Sequence, residues 1–168
     1  MNKKILTIAI FVLALDQITK VATSILLEFN KPITVIKDFF YLTLCHNEGA
    51  AWGIFSNAKI IILIGTIIAL ITIYHFIYCF KQNKRNTLAY GLILGGLAGN
   101  LIDRLLFGHV RDFLDFYIFG YDYPVFNIAD IGIVFGVVLL IIAILKGEDT
   151  NESNSKRKSR ETRQISSE

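Results

Sequence analysis

The chain has 168 residues, 54% of them hydrophobic and only 18% charged, with a formal net charge of +3. A mean hydropathy of +0.53 lies well above that of an ordinary soluble domain and turns attention to membrane spans. A bilayer core of about 30 Å takes roughly 20 apolar residues per helix, and stretches near 5–27, 60–80, 88–107 and 126–145 meet that length, which leaves no room for a sizeable separate soluble domain.

The first stretch follows Lys3 and Lys4 and resembles the start of a cleavable signal peptide. Its length, the charges of Asp16 and Lys20 inside it and the lack of a small-x-small cleavage site predict a retained span instead. Asp16 and Lys20 are i and i+4, so they share one helical face, where they serve equally well as a neutralised structural pair or as a substrate contact.

After this span, Pro32 to Leu44 is rich in β-branched and aromatic residues (Ile33, Thr34, Val35, Ile36, Phe39, Tyr41), which predicts short strands. Asn47-Glu48-Gly49-Ala50-Ala51-Trp52-Gly53 follows, with small residues beside a tryptophan suited to the headgroup region. Gly49 and Gly53 would let the 45–56 loop move as a lid.

Span two is followed by Lys81, Lys84 and Arg85. Span three repeats glycine at 91, 95 and 99, two overlapping GxxxG steps that admit another backbone closely, and ends with Asn100, Asp103 and Arg104. Residues 108–115, Gly-His-Val-Arg-Asp-Phe-Leu-Asp, read as a loop that places Asp112 just past the end of span three. Span four opens with Asn127 and Asp130, and the tail after Gly147, rich in Ser, Lys, Arg and Glu, is expected to be a disordered segment, 148–168, attached to a membrane domain over 1–147. Contact of this tail with anionic lipid is the expectation; nucleic-acid binding is not.

Short cytoplasmic segments carry excess Lys and Arg. Segments 1–4, 81–87 and 146–168 are the basic ones, which predicts an all-α polytopic membrane protein with four transmembrane helices and both termini cytoplasmic. With that orientation Asp16, Lys20, Asn100, Asp103, Arg104, Asn127 and Asp130 fall in one layer near the outer surface. Each buried charge costs about 3 kcal/mol on insertion scales, so the layer marks a functional site.

Two carboxylates held close cannot both ionise easily, so one keeps a proton and the other can act as a base. That pair can hydrolyse a peptide bond without a metal: one activates water, the other protonates the carbonyl. Asp112 and Asp130 reach a common point in this scheme, although spacing alone does not rank Asp115 or Asp122 below Asp112. No HExxH or GxSxG occurs, and His46, His75 and His109 are too scattered in sequence to suggest a metal site; Cys45 and Cys79 fall on opposite sides, so no metal or other cofactor is expected. A small proton-coupled transporter would also carry intramembrane Asp, Lys and Arg, but along its whole path rather than in one outer layer.

Asp16-Gln17-Ile18-Thr19-Lys20, Asn47-Glu48-Gly49-Ala50-Ala51-Trp52, Gly99-Asn100-Leu101-Ile102-Asp103-Arg104, Val110-Arg111-Asp112-Phe113 and Phe126-Asn127-Ile128-Ala129-Asp130, in this order and spacing, resemble the lipoprotein signal peptidase (signal peptidase II) family. The resemblance implies an aspartic endopeptidase of the bacterial cell membrane with a small extracytoplasmic β-cradle. It implies a catalytic pair at Asp112 and Asp130, with supporting or substrate-contacting roles for Asp16, Lys20, Asn47, Gly49, Asn100, Arg104 and Asn127. The implied substrates are diacylglyceryl-modified prolipoproteins, cut before the lipidated cysteine, and the implied inhibitors are globomycin-type cyclic peptides; a monomer is expected. Arg111 stands where many relatives have a small apolar residue, a difference that bears on the field around the pair.

Overall fold

The computed structural model describes residues 2–49, 59–77, 79–81 and 83–148. Four helices, α1 (Lys3–Leu26), α2 (Lys59–Phe76), α3 (Lys84–Phe107) and α4 (Ile128–Leu145), are each long and apolar enough to cross a bilayer. Between α1 and α2 lie strands β1 (Ile33–Ile36) and β2 (Phe40–Asn47); between α3 and α4 lie β3 (Val110–Ile118) and β4 (Tyr121–Asp122). They form one antiparallel sheet in the order β1-β2-β3-β4.

The helix limits differ from the hydropathy windows at the capped ends. Asn83 accepts a hydrogen bond from the backbone N–H of Asn86 and so starts α3 a turn before the apolar run at Leu88. The helix stops at Gly108, which takes φ +75° and returns its N–H to Arg104. Asn127 caps α4, so Phe126 and Asn127 stand outside a helix that the apolar run alone would have extended over them.

The larger difference is β3. Segment 108–115, read from sequence as a loop, is a strand from Val110 onwards, because Val110, Phe113, Phe116, Tyr117 and Ile118 favour extended backbone and the first four positions are enclosed on both faces. The structure is thus four helices with a small sheet rather than all-α, and Asp112 sits third in a strand instead of at a helix end.

Glycine sets how closely the helices meet. A Cβ at Gly95 would lie 2.6 Å from the carbonyl oxygen of Ala9 and 2.8 Å from Val12, so α1 rests directly on the backbone of α3 along the predicted GxxxG face. Gly96 does the same for α4, where a Cβ would meet the carbonyl of Ala129 at 2.4 Å. Helix α2 has no buried residue and packs chiefly on α3, so α1, α3 and α4 alone form the tight bundle.

At the end of the bundle away from the sheet, Ile5, Ile77 and Tyr90 form the apolar core. There Glu148 accepts from the amides of Asn83 and Asn86 and pairs with Arg85, which ties the end of α4 to the start of α3. The lid expectation, Trp52 and the tail beyond 148 lie largely or wholly outside the described residues.

Candidate active site

Phe126 places the start of α4. It exchanges backbone hydrogen bonds with Leu114 (2.8 and 3.0 Å) and accepts a third from Phe113 (3.1 Å), so the residue after it, Asn127, is delivered beside β3. Asn127 and Asp130 then make a capping box: the side chain of Asn127 accepts from the N–H of Asp130 at 3.0 Å, and Asp130 Oδ2 accepts from the N–H of Asn127 at 3.2 Å. Asn127 Nδ2 also donates to Asp112 Oδ1 at 2.6 Å. One asparagine therefore holds both carboxylates.

The remaining amides complete the frame. Asn47 Nδ2 donates to Asp112 Oδ2 at 3.0 Å, and Asn100 Nδ2 donates to Asp130 Oδ1 at 2.8 Å. Asn100 Oδ1 accepts from Lys20 Nζ (2.9 Å) and from Asn127 Nδ2 (3.1 Å). Gly49 donates its N–H to Asn47 Oδ1 at 3.0 Å, and its carbonyl accepts from Arg104 Nη2 at 3.3 Å, so the guanidinium stands at the site's rim within electrostatic reach of Asp112 and Asp130. All nine residues that the sequence singled out belong to this one network or its immediate border.

Asp112 is 1% exposed. Burial first, and the Asp130 carboxylate second, push its carboxyl up to about 7, against the pull of the Asn47 and Asn127 amides and the Lys20 charge. Asp130 is half-buried and opens on an apolar groove of about 890 Å³, bordered among others by Phe39, Phe116, Phe126, Ile131 and Phe135.

Beneath the pair lies a closed set of charges. Asp16, Lys20 and Asp103 have no exposed surface; Lys20 Nζ is 2.9 Å from Asp16 and 3.5 Å from Asp103. Asp16 Oδ1 accepts the backbone N–H of Ala129 at 2.9 Å, so α1 supplies an anion to the first turn of α4. Arg111 is turned away from Asp112 towards Asp103, and Gln17 bridges Asp16, Asp103 and Arg111. Gln17 and Asp103 were left without firm roles by spacing arguments; the partner they share, Arg111, comes from strand β3, which sequence did not reveal, while their other partners lie on α1 and α3. Among the described residues every enclosed side-chain nitrogen or oxygen has a partner.

Asp115 and Asp122 separate from the pair. Asp115 accepts from Thr43 Oγ1 at 2.5 Å and, with Asp122, borders a different cup that also includes Tyr41, Cys45 and Tyr117. His46 and His109, distant in sequence, stack with ring centroids 3.8 Å apart, while no group of three His, Cys, Asp or Glu among the described residues could hold a metal ion.

The family model described as signal peptidase (SPase) II matches residues 8–146. This chain belongs to the signal peptidase II family. A lipoprotein signal peptidase of Staphylococcus aureus strain JH9 is 45% identical over 152 residues, covering 90% of this chain and 91% of that one. Another, also from Staphylococcus aureus, is 44% identical over 150 residues, covering 89% and 91%. Two bacterial membrane enzyme structures solved by the in meso method are similar in fold. One, at 2.3 Å resolution, gives a TM-score of 0.77 at 43% identity over 84% of this chain and 87% of its own; the other, at 1.9 Å, gives 0.76 at 43% over 84% and 92%. The four helices of membrane-spanning length and the small antiparallel sheet of this chain thus match solved bacterial membrane enzymes.

Proposed function

We propose that this signal peptidase II, an aspartic endopeptidase that removes signal peptides from prolipoproteins, cuts with Asp112 and Asp130 as its catalytic pair, immediately before a diacylglyceryl-modified cysteine. The observation that carries the reading is the double hold of Asn127 on Asp112 and Asp130. Asp112, enclosed and pushed up to about 7, keeps the shared proton near neutral pH and gives it to the scissile carbonyl. Asp130 lies in the first turn of α4, held by the Asn100 side-chain amide and the Asn127 N–H, and it takes the proton of the attacking water.

The apolar groove at Asp130 suits a substrate that arrives with acyl chains, because its walls are aromatic and aliphatic up to the carboxylate itself. Both chain ends then face the cytoplasm, as the basic segments favour, and the pair works near the outer leaflet of the cell membrane. Residues 1–147 act as a monomeric membrane domain, and a globomycin-type peptide competes at the same groove.

The test is cleavage of a diacylglyceryl-modified prolipoprotein by purified chain. Asp112→Asn and Asp130→Asn are each expected to lower kcat by about a thousandfold or more while remaining folded. Cutting at a near wild-type rate by either variant would reject the pair.

A further inference from the structure

We propose that Arg111 is a positioning residue for this reaction: its backbone N–H and guanidinium together lock Asp103, and through Asp103 they fix the start of β3 and the place of Lys20, which hold Asp112 and Asp130. The proposal rests on the reading of those two aspartates as the catalytic pair.

Asp103, in the last turn of α3, receives Arg111 from several directions. Oδ2 accepts the backbone N–H at 3.0 Å and Nε at 3.2 Å; Oδ1 accepts Nη2 at 2.8 Å. The guanidinium lies 4.6 Å over the Phe107 ring and gives a further hydrogen bond to Gln17 Oε1 at 3.1 Å. One carboxylate thus joins α3, α1 and the second residue of β3. Asp112 is the next residue along, directed the opposite way towards Asn47 and Asn127. With Arg111 clamped, the strand cannot slide or twist without moving Asp112.

The second effect runs through Lys20. Its ammonium is 2.9 Å from Asp16 and from Asn100 Oδ1 but 3.5 Å from Asp103, whose demand Arg111 already meets. Asn100, oriented by that ammonium, points its amide at Asp130. Without Arg111, the enclosed Asp103 has Lys20 as its remaining close cation and draws it away from Asn100. Charge agrees with geometry: Lys20, Arg104 and Arg111 offset Asp16, Asp103 and the single negative charge of a once-protonated pair. Asp112 itself is faced by Cys45 on β2, Lys20 on α1, Arg104 on α3 and Asp130 on α4, so Arg111 acts on it through this set rather than by contact.

The experiment compares the full chain with Arg111→Met, Arg111→Lys and the double variant Arg111→Met with Asp103→Asn, using the diacylglyceryl-modified prolipoprotein. Arg111→Met is expected to lower kcat about tenfold or more with KM within about twofold. It is also expected to move the pH–kcat profile upwards by about one unit, since a cation near the pair has gone. Arg111→Lys recovers part of the rate. The double variant, which buries no uncompensated charge, returns the profile to its wild-type position yet stays slow, because the strand is still unclamped. A wild-type kcat in the double variant overturns the proposal even if Arg111→Met fails to fold, and so does an unchanged profile in a folded Arg111→Met. Activity surviving in Asp112→Asn would instead reject the pair, whatever Arg111 does.

Discussion

Asn127 donates its side-chain amide to Asp112 over 2.6 Å while its oxygen caps the helix on which Asp130 rides. Two functions of one side chain can be separated by substitution. Asn127→Ser keeps an N-cap oxygen and loses the amide that Asp112 and Asn100 accept from, so the cleavage rate should fall at a stability cost of about 1–3 kcal/mol. Asn127→Ala should lose both, at an added cost of about 1–2 kcal/mol. Thermal unfolding in detergent alongside cleavage assays separates the two; equal stability of the two variants would count against the capping role.

Asp112, raised from 3.8 to about 7 by burial and by Asp130, gives the pH dependence a sign. It must hold its proton to act as the acid, so kcat/KM of the free enzyme should fall as pH rises through about 7. Stability shifts the same way: a carboxyl whose folded value lies above its unfolded one favours folding fully below the unfolded value and loses that contribution as pH rises through the folded one. The unfolding temperature should therefore be higher at pH 5 than at pH 8, with the difference reduced in Asp112→Asn. An alkaline limb far above 8 would show that Asp112 is not the acid.

Asp16 and Lys20 form an enclosed ion pair 2.9 Å apart, with Asp16 also receiving the Ala129 N–H. Removing one partner leaves the other charge buried, so Asp16→Asn should destabilise by about 3–5 kcal/mol, and Asp16→Asn with Lys20→Met by clearly less. Equilibrium unfolding of the single and double variants measures the coupling. Strictly additive losses would mean that the pair does not act as a unit.

Gly95 and Gly65 offer a matched contrast in the helices. A methyl at Gly95 meets the Ala9 carbonyl oxygen at 2.6 Å, whereas one at Gly65 meets nothing within 4 Å. Gly95→Ala should cost about 1–3 kcal/mol by forcing α1 and α3 apart, and Gly65→Ala should be neutral or slightly stabilising. Differential scanning of the two variants decides it.

The four spans were legible in the sequence because hydropathy depends on composition alone, and the polar layer because each intramembrane charge stands out against an apolar run. Asp112 and Asp130 were picked out by the order of the motifs, and the structure brings the two together through Asn127. The Asp103–Arg111 clamp was hidden, since it requires β3 to begin at Val110, and a strand of nine residues behind a helix end looks like a loop when its polar residues are expected to be catalytic. The structural reason that Asp115 stands apart from Asp112 was equally hidden. It depends on strand alternation and on the register shift of β2 between Leu42 and Cys45, which pairs Cys45 with Asp112 and leaves Asp115 beside Thr43. The stack of His46 on His109 follows from the same pairing, which sets β2 beside the start of β3.

The hydrogen bond from Ala129 to Asp16 spans 113 positions of the chain. It joins a residue made early in synthesis to one made near the end, in the same turn of α4 that carries Asp130. A growing chain with three helices in the bilayer already carries Asp112 and Asn47 but has neither Asp130 nor Asn127, the asparagine that holds both carboxylates. On the reading of Asp112 and Asp130 as the catalytic pair, cleavage therefore has to wait until the last helix takes its place.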